Sequence, residues 1–233
     1  MAKNDMKAGE SMRGVLIFEM ETVALGARRI RYEVLSRILG EQGLTLSEAE
    51  FSRFCLGCPK AYMPALLERK GYTAAGPEQV TERLRGETLS RLMQKDCQMD
   101  AGLKAWLDAA SARGTAIVAA SCMGADEADE VAERLGFDQW HVTVCSGAGM
   151  EKGWDTPEGW QHAAQLTGRH AANALAVTTG AAFARAALAA GCHVAAVPDD
   201  FTDFEDFGGV DFLAPSLSEL KANDCFRSED HTS

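Results

Sequence analysis

Two carboxylates one residue apart, Glu19 and Glu21, follow directly on the apolar run Val15-Leu16-Ile17-Phe18. A short apolar run of this kind reads as a buried strand. The strand period of two would then set both side chains on one side of its C-terminal end. Placed so, they could share a cation or pass a proton. In an open α/β sheet that end is also where ligands bind. Glu19 and Glu21 are therefore the first candidates for catalytic and metal-binding groups, with a pair of surface carboxylates as the plain alternative.

The thiols come next. Cys55-Leu56-Gly57-Cys58 has C-x-x-C spacing. A redox pair would belong at a strand-to-helix junction. A zinc site would need two further ligands, for which Cys97 and Cys122 are the candidates; chance spacing, with Cys55 on an apolar face, is the plain reading. Cys122 follows Ser121 at the end of an apolar run and before a helix, where a thiol pKa can fall. A buried, inert thiol is the competing reading there. His141, His162, His170, His193 and His231 show no ligand spacing.

Composition narrows the class. The chain has 233 residues and a net charge of -11, which argues against a nucleic-acid surface. No apolar run approaches the roughly 20 residues that span a bilayer. The polar start MAKNDMKAGESMR lacks the apolar centre of a signal peptide. Seven cysteines, an odd number set mostly in apolar segments, point to a reducing, cytoplasmic setting.

The elements that would position these groups follow from periodicity. Residues 1–13 and 226–233 read as flexible tails, and Gly14 to Phe18 as a strand. A helical block then runs to about residue 97. Ile30, Val34, Leu35, Ile38 and Leu39 mark its first helix, and Ser47 with Glu50 forms a capping box before Phe51 and Phe54. Pro59 opens a helix with Tyr62, Leu66 and Leu67, and residues 78–95 form another. Beyond Ala101, helices alternate with apolar strands at 116–120, 141–145, 174–177, 193–197 and 211–213, and a last helix is expected over Ser216–Ala222. Alternation of this kind means a parallel sheet covered on both faces. The predicted organisation is a core of residues 14–25 and 98–225 with an all-helical cap inserted at 26–97. Trp154 and Trp160 are candidates for core or for a roof over the cleft. The acidic run Asp199 to Phe207, with three phenylalanines, reads as a solvated loop or a partner-docking edge.

A strand ending in acid-x-acid, a helical insertion and a Rossmann-like remainder resembles the haloacid dehalogenase-like (HAD) superfamily. It is most similar to β-phosphoglucomutase-like phosphatases with a helical cap. The strings Arg31-Tyr32-Glu33-Val34-Leu35, Arg185 to Gly191, Val194 to Asp199 and Asp211 to Leu220 carry the likeness over residues 14 to about 222. The resemblance implies a nucleophile at Glu19 and an acid/base at Glu21, where the family has aspartates. It implies phosphate-binding roles for Ser121 and Lys152, and puts Thr22, Cys122, Thr178 and Thr179 along the cleft. Thr178 and Thr179 stand where the family has acidic Mg2+ ligands, with Asp155 as a candidate substitute. Mg2+ would rest on Glu19 and Glu21.

Three functions remain open from the sequence. The first is a member with lost or reduced phosphatase activity that binds a phosphorylated metabolite or anion. The second is a weak Mg2+-dependent phosphohydrolase using Glu19 and Glu21. The third is a protein-interaction or regulatory module.

Overall fold

The computed structural model describes residues 14–56, 59–147 and 153–227. The expectations for Lys152 and Cys58 lie outside them, as do residues 1–13 and 228–233 of the expected tails. The apolar runs form six parallel strands: β1 (Val15–Glu19), β2 (Ala116–Ser121), β3 (Thr143–Ser146), β4 (Ala174–Thr178), β5 (His193–Ala196) and β6 (Phe212–Leu213). Their order is β3-β2-β1-β4-β5-β6. Val15 pairs with Ala116 on one side and with Ala174 on the other, so β1 lies at the centre. All five residues of β1 are buried. That two-sided burial is why the strand is written as a continuous apolar run.

Helices supply the cover. α1 (Met20–Leu25) follows β1 at once, and α2 (Ala27–Gly40), α3 (Glu48–Phe54), α4 (Pro59–Lys70) and α5 (Pro77–Leu92) form the cap. α6 (Ala101–Ser111), α7 (Ala125–Leu135) and the short α10 (Ala222–Cys225) lie on one face of the sheet. Leu16, Phe18, Ile117, Leu175 and Val177 pack there with Trp106, Leu107 and Val131. On the other face α8 (Pro157–Leu166) and α9 (Ala181–Ala189) meet Val15, Ile17, Val118 and Ala176. The fold is thus a Rossmann-like parallel core with an inserted helical cap. No helix among the described residues is long and apolar enough to cross a membrane.

The capping box at the start of α3 forms as its spacing predicts. The Glu50 amide donates to Ser47 Oγ at 3.2 Å, and the Ser47 amide donates to Glu50 Oε2 at 3.1 Å. Lys70 adds a 2.6 Å ion pair to Glu50, whose carboxyl falls to about 2 as a result.

Several expectations change. α1 was not anticipated: its buried Met20, Val23 and Ala24 fall at helical spacing, but over only six residues. Gly26, at φ +58°, then separates α1 from α2 in a left-handed conformation that suits glycine. The expected helix at 216–222 is instead a 3-10 turn at Leu217–Glu219 followed by α10. Phe226 does not belong to a tail. It is fully buried, 5.8 Å from the Trp106 ring centroid. Trp154 and Trp160 are buried core residues.

The acidic loop after β5 is not simply solvated either. Phe201 is 1% exposed and sits inside the cap, with ring centroids 5.0 Å from Phe51 and 5.4 Å from Tyr32. Phe207 is buried on the α8/α9 face, while Phe204 stays 64% exposed. A core loop therefore contributes a side chain to the hydrophobic centre of the cap. Phe201→Ala should lower the unfolding free energy by roughly 3–5 kcal/mol, the usual cost of removing a buried aromatic ring. Urea denaturation would read this, and a loss below about 1 kcal/mol, the range of a surface substitution, would contradict the anchoring role.

Candidate functional site

The strand order places a topological switch between β1 and β4, and their C-terminal ends frame the crevice where such sheets bind ligands. Glu19 closes β1 and Thr178 closes β4. β1 ends at Glu19 and α1 begins at Met20, so Glu21 lies in the first turn of a helix. The expected pair on one side of a strand tip does not form. Instead each carboxylate has its own set of partners.

Glu19 shares its strand parity with Val15 and Ile17, which face α8 and α9. It is 4% exposed and accepts three hydrogen bonds. The Thr179 amide donates to Oε1 at 2.9 Å, and the Thr179 hydroxyl donates to Oε2 at 2.8 Å. The Thr22 hydroxyl also donates to Oε2. Thr179 Oγ1 in turn accepts from Arg28 Nη2 at 3.0 Å, and Arg28 is ion-paired with Asp199. The Thr202 hydroxyl donates to the Thr179 carbonyl at 2.6 Å, which ties the Asp199 loop to the tip of β4. Thr178 Oγ1 is buried, with no hydrogen-bond partner among the described residues.

Glu21 turns the other way. Ser121 shares parity with Ile117 and Ala119 on the α6/α7 face. Its hydroxyl donates to Glu21 Oε1 at 2.5 Å, and the Cys122 amide donates to the same oxygen at 3.0 Å. Ser121 Oγ also accepts from the Met123 amide at 3.0 Å, so the serine is doubly engaged. Burial pushes the Glu21 carboxyl above its ordinary value, against the opposing pull of Ser121, the backbone donors and the Arg31 charge. Behind this tip, Trp154 Nε1 donates to the Ser121 carbonyl at 2.8 Å. At Gly147 an added Cβ would lie 2.7 Å from Trp154 Nε1, which leaves room only for glycine.

The structure thus joins Glu19 to Thr22 and Thr179, and Glu21 to Ser121 and Cys122. Asp155 is exposed in the turn before α8. Cys122 is exposed rather than buried, whereas Cys55 is buried in the cap, its thiol pushed up to about 12 by desolvation. Sequence reasoning missed Arg28 and Arg31. Their only signal is a basic cluster, Arg28-Arg29-x-Arg31, in the first turns of α2, where the helix dipole disfavours positive charge. A groove of about 600 Å³ opens between α3 and the loop after β5, lined by Arg53, Phe54, Leu56, Phe204 and Glu205. That volume is in the range of small-molecule sites.

A divalent cation does not fit these residues. Mg2+ takes about six oxygens in octahedral array. Among the described residues no three His, Cys, Asp or Glu side chains cluster to hold a metal. Both oxygens of Glu19 are already engaged by donors, and a guanidinium lies one hydroxyl away.

The raised Glu21 carboxyl fixes the sign of a pH effect. The folded chain keeps this proton through a window in which the unfolded chain has lost it, so stability falls as pH rises through that window. Glu21→Gln keeps an acceptor for Ser121 and Cys122 without the charge. It should raise the thermal midpoint at neutral pH, and the gain should vanish once the pH drops below the ordinary carboxylate range. A gain that is independent of pH would contradict the assignment.

The sequence matches no family model and no curated protein. Solved structures resemble it closely in shape. CbbY from Rhodobacter sphaeroides, a mutant in complex with xylulose 1,5-bisphosphate, aligns with a TM-score of 0.75 at 15% identity over 90% of this chain and 96% of that one. β-Phosphoglucomutase from Clostridium difficile aligns with a TM-score of 0.73 at 14% identity over 92% and 97%. A HAD family hydrolase from Deinococcus radiodurans with bound phosphate and sodium gives 0.70 at 18% identity over 90% and 94%. With a central parallel sheet, a helical cap after the first strand and these structural neighbours, the chain has the fold of the haloacid dehalogenase-like hydrolases of the β-phosphoglucomutase type.

Proposed function

We propose that this protein has lost efficient phosphoryl transfer and uses the core–cap cleft to hold a phosphorylated small molecule. One observation carries the reading: the Ser121 hydroxyl and the Cys122 amide converge on a single anionic oxygen at the tip of β2. Two donors so placed form a cradle for an oxyanion, and in this chain Glu21 supplies one. The charge of Arg31 acts at the same place. Lys152, the next residue implied by the resemblance, is assigned here as a second cation for the ligand. Neighbours of the same fold bind phosphate and a bisphosphate sugar, which supports a phosphorylated ligand class.

The loss of transfer follows from Glu19. A nucleophile must be aimed at phosphorus, and the hydrogen bonds from Thr22 and Thr179 hold both oxygens of Glu19 in one fixed orientation. Its side chain is also one methylene longer than aspartate, a displacement of about 1.5 Å. Misplacement near 1 Å can lower a rate on the order of 100-fold.

Two measurements test the proposal. An aryl phosphate assay with Mg2+ should show no turnover that depends on Glu19, and metal-dependent hydrolysis abolished by Glu19→Ala would overturn the reading. Calorimetry with inorganic phosphate should show tighter binding to Glu21→Ala, which empties the cradle and removes a negative charge, by roughly tenfold, or about 1.4 kcal/mol. Adding Ser121→Ala to that variant should remove the gain. Phosphate binding indifferent to both changes would show that the cradle is not the site.

A further inference from the structure

The misfit of a divalent cation leads to a second role for residues outside the oxyanion cradle. Arg28 is 7% exposed, a depth at which a guanidinium requires compensation. It receives it from two carboxylates. Asp199 pairs with it directly, and Glu19 is reached through the Thr179 hydroxyl. Glu205 leans over the same glycine: a Cβ at Gly180 would lie 3.5 Å from Arg28 Nη2 and 3.8 Å from Glu205 Oε2. Glu205 also accepts from the Ala181 amide at 2.7 Å, which fixes it at the start of α9. The Asp199 carboxylate and the Thr179 hydroxyl, itself bonded to Glu19, meet one positive centre at the switch between β1 and β4. Here the cation is covalently part of the chain.

We propose that Arg28 is the resident cation of this site, holding the position beside Glu19 that a divalent metal would take and excluding that metal. The guanidinium charge is permanent and its planar donors suit a carboxylate and a hydroxyl at once. A divalent ion brought to Glu19 would meet a like charge one hydroxyl away in a buried setting, where repulsion is weakly screened. Because Arg28 lies two residues beyond Gly26, the cap itself delivers the cation. Withdrawing the cap helix would leave Asp199 and Glu19 without their counter-charge. Cap position and site charge are thereby one variable.

Mn2+, followed by loss of the free-ion resonance signal, is a direct probe. The wild-type protein should take up no stoichiometric Mn2+, and Arg28→Lys, which keeps the charge, should behave alike. Arg28→Ala should acquire a Mn2+ site that Mg2+ competes for and that Glu19→Gln then abolishes. Stoichiometric Mn2+ on the wild type, weakened by Glu19→Gln, would overturn the proposal even if Arg28→Ala fails to fold. A folded Arg28→Ala that still ignores Mn2+ would overturn it as well. No phosphate enters this experiment, so its outcome is independent of the oxyanion cradle.

Discussion

A buried guanidinium must be paired, and the pairing of Arg28 organises the tips of β1 and β4. Its ion pair with Asp199 spans 171 residues of sequence and brings the start of the cap onto the loop after β5. Thr202 in that loop holds the backbone at the tip of β4, and Thr179 there holds Glu19 at the tip of β1. One charge therefore sets the relation of cap, loop and the two central strands. Magnitudes show what secures the arrangement. The Arg29–Asp200 pair, 37% and 81% exposed, belongs to a class worth about 0.2–1 kcal/mol. Burying the Phe201 ring next to it contributes about 1.5–3 kcal/mol. The apolar insertion does the holding, and the buried ion pair sets the geometry.

The same logic separates the two carboxylates. Strand alternation sends Glu19 to one face of the sheet and Ser121 to the other, and the turn into α1 lets Glu21 follow Ser121. Each acid is then met by fixed donors, which set the direction that its carboxylate faces. In Glu21 the donors and the desolvation oppose each other, and desolvation prevails.

The strands were readable because burial on both faces demands continuous apolar runs, as in Val15 to Phe18 and Ala174 to Val177. The capping box of α3 was readable because both partners lie within one turn. What escaped depends on contacts distant in sequence or on elements too short for periodicity. α1 has six residues, fewer than two turns, so the strand pattern was extended through Glu21. Phe201 looked like part of an acidic loop because its partners, Tyr32 and Phe51, stand far earlier in the chain. Ser121 and Thr179 were placed near the carboxylates by resemblance, but which acid each would meet follows from strand parity and from the helix that interrupts it. Nothing local distinguishes Arg28 from the half-buried Arg29 beside it.

The residue types around Glu19 are coupled, and Thr179 shows why. A hydroxyl can accept from Arg28 and donate to Glu19 in the same moment, so it passes the charge of one to the other. A carboxylate at this position could only accept. It would satisfy Arg28 but face Glu19 acceptor to acceptor, two negative groups in a site with little water. The threonine and the arginine thus depend on each other. With Thr179 in place, a guanidinium can compensate a buried glutamate through one hydrogen-bonded link; without it, Arg28 and Glu19 would each lose a hydrogen-bond partner. Changing any one of the three toward a metal-binding set leaves the other two unsatisfied, so the arrangement is stable as a unit.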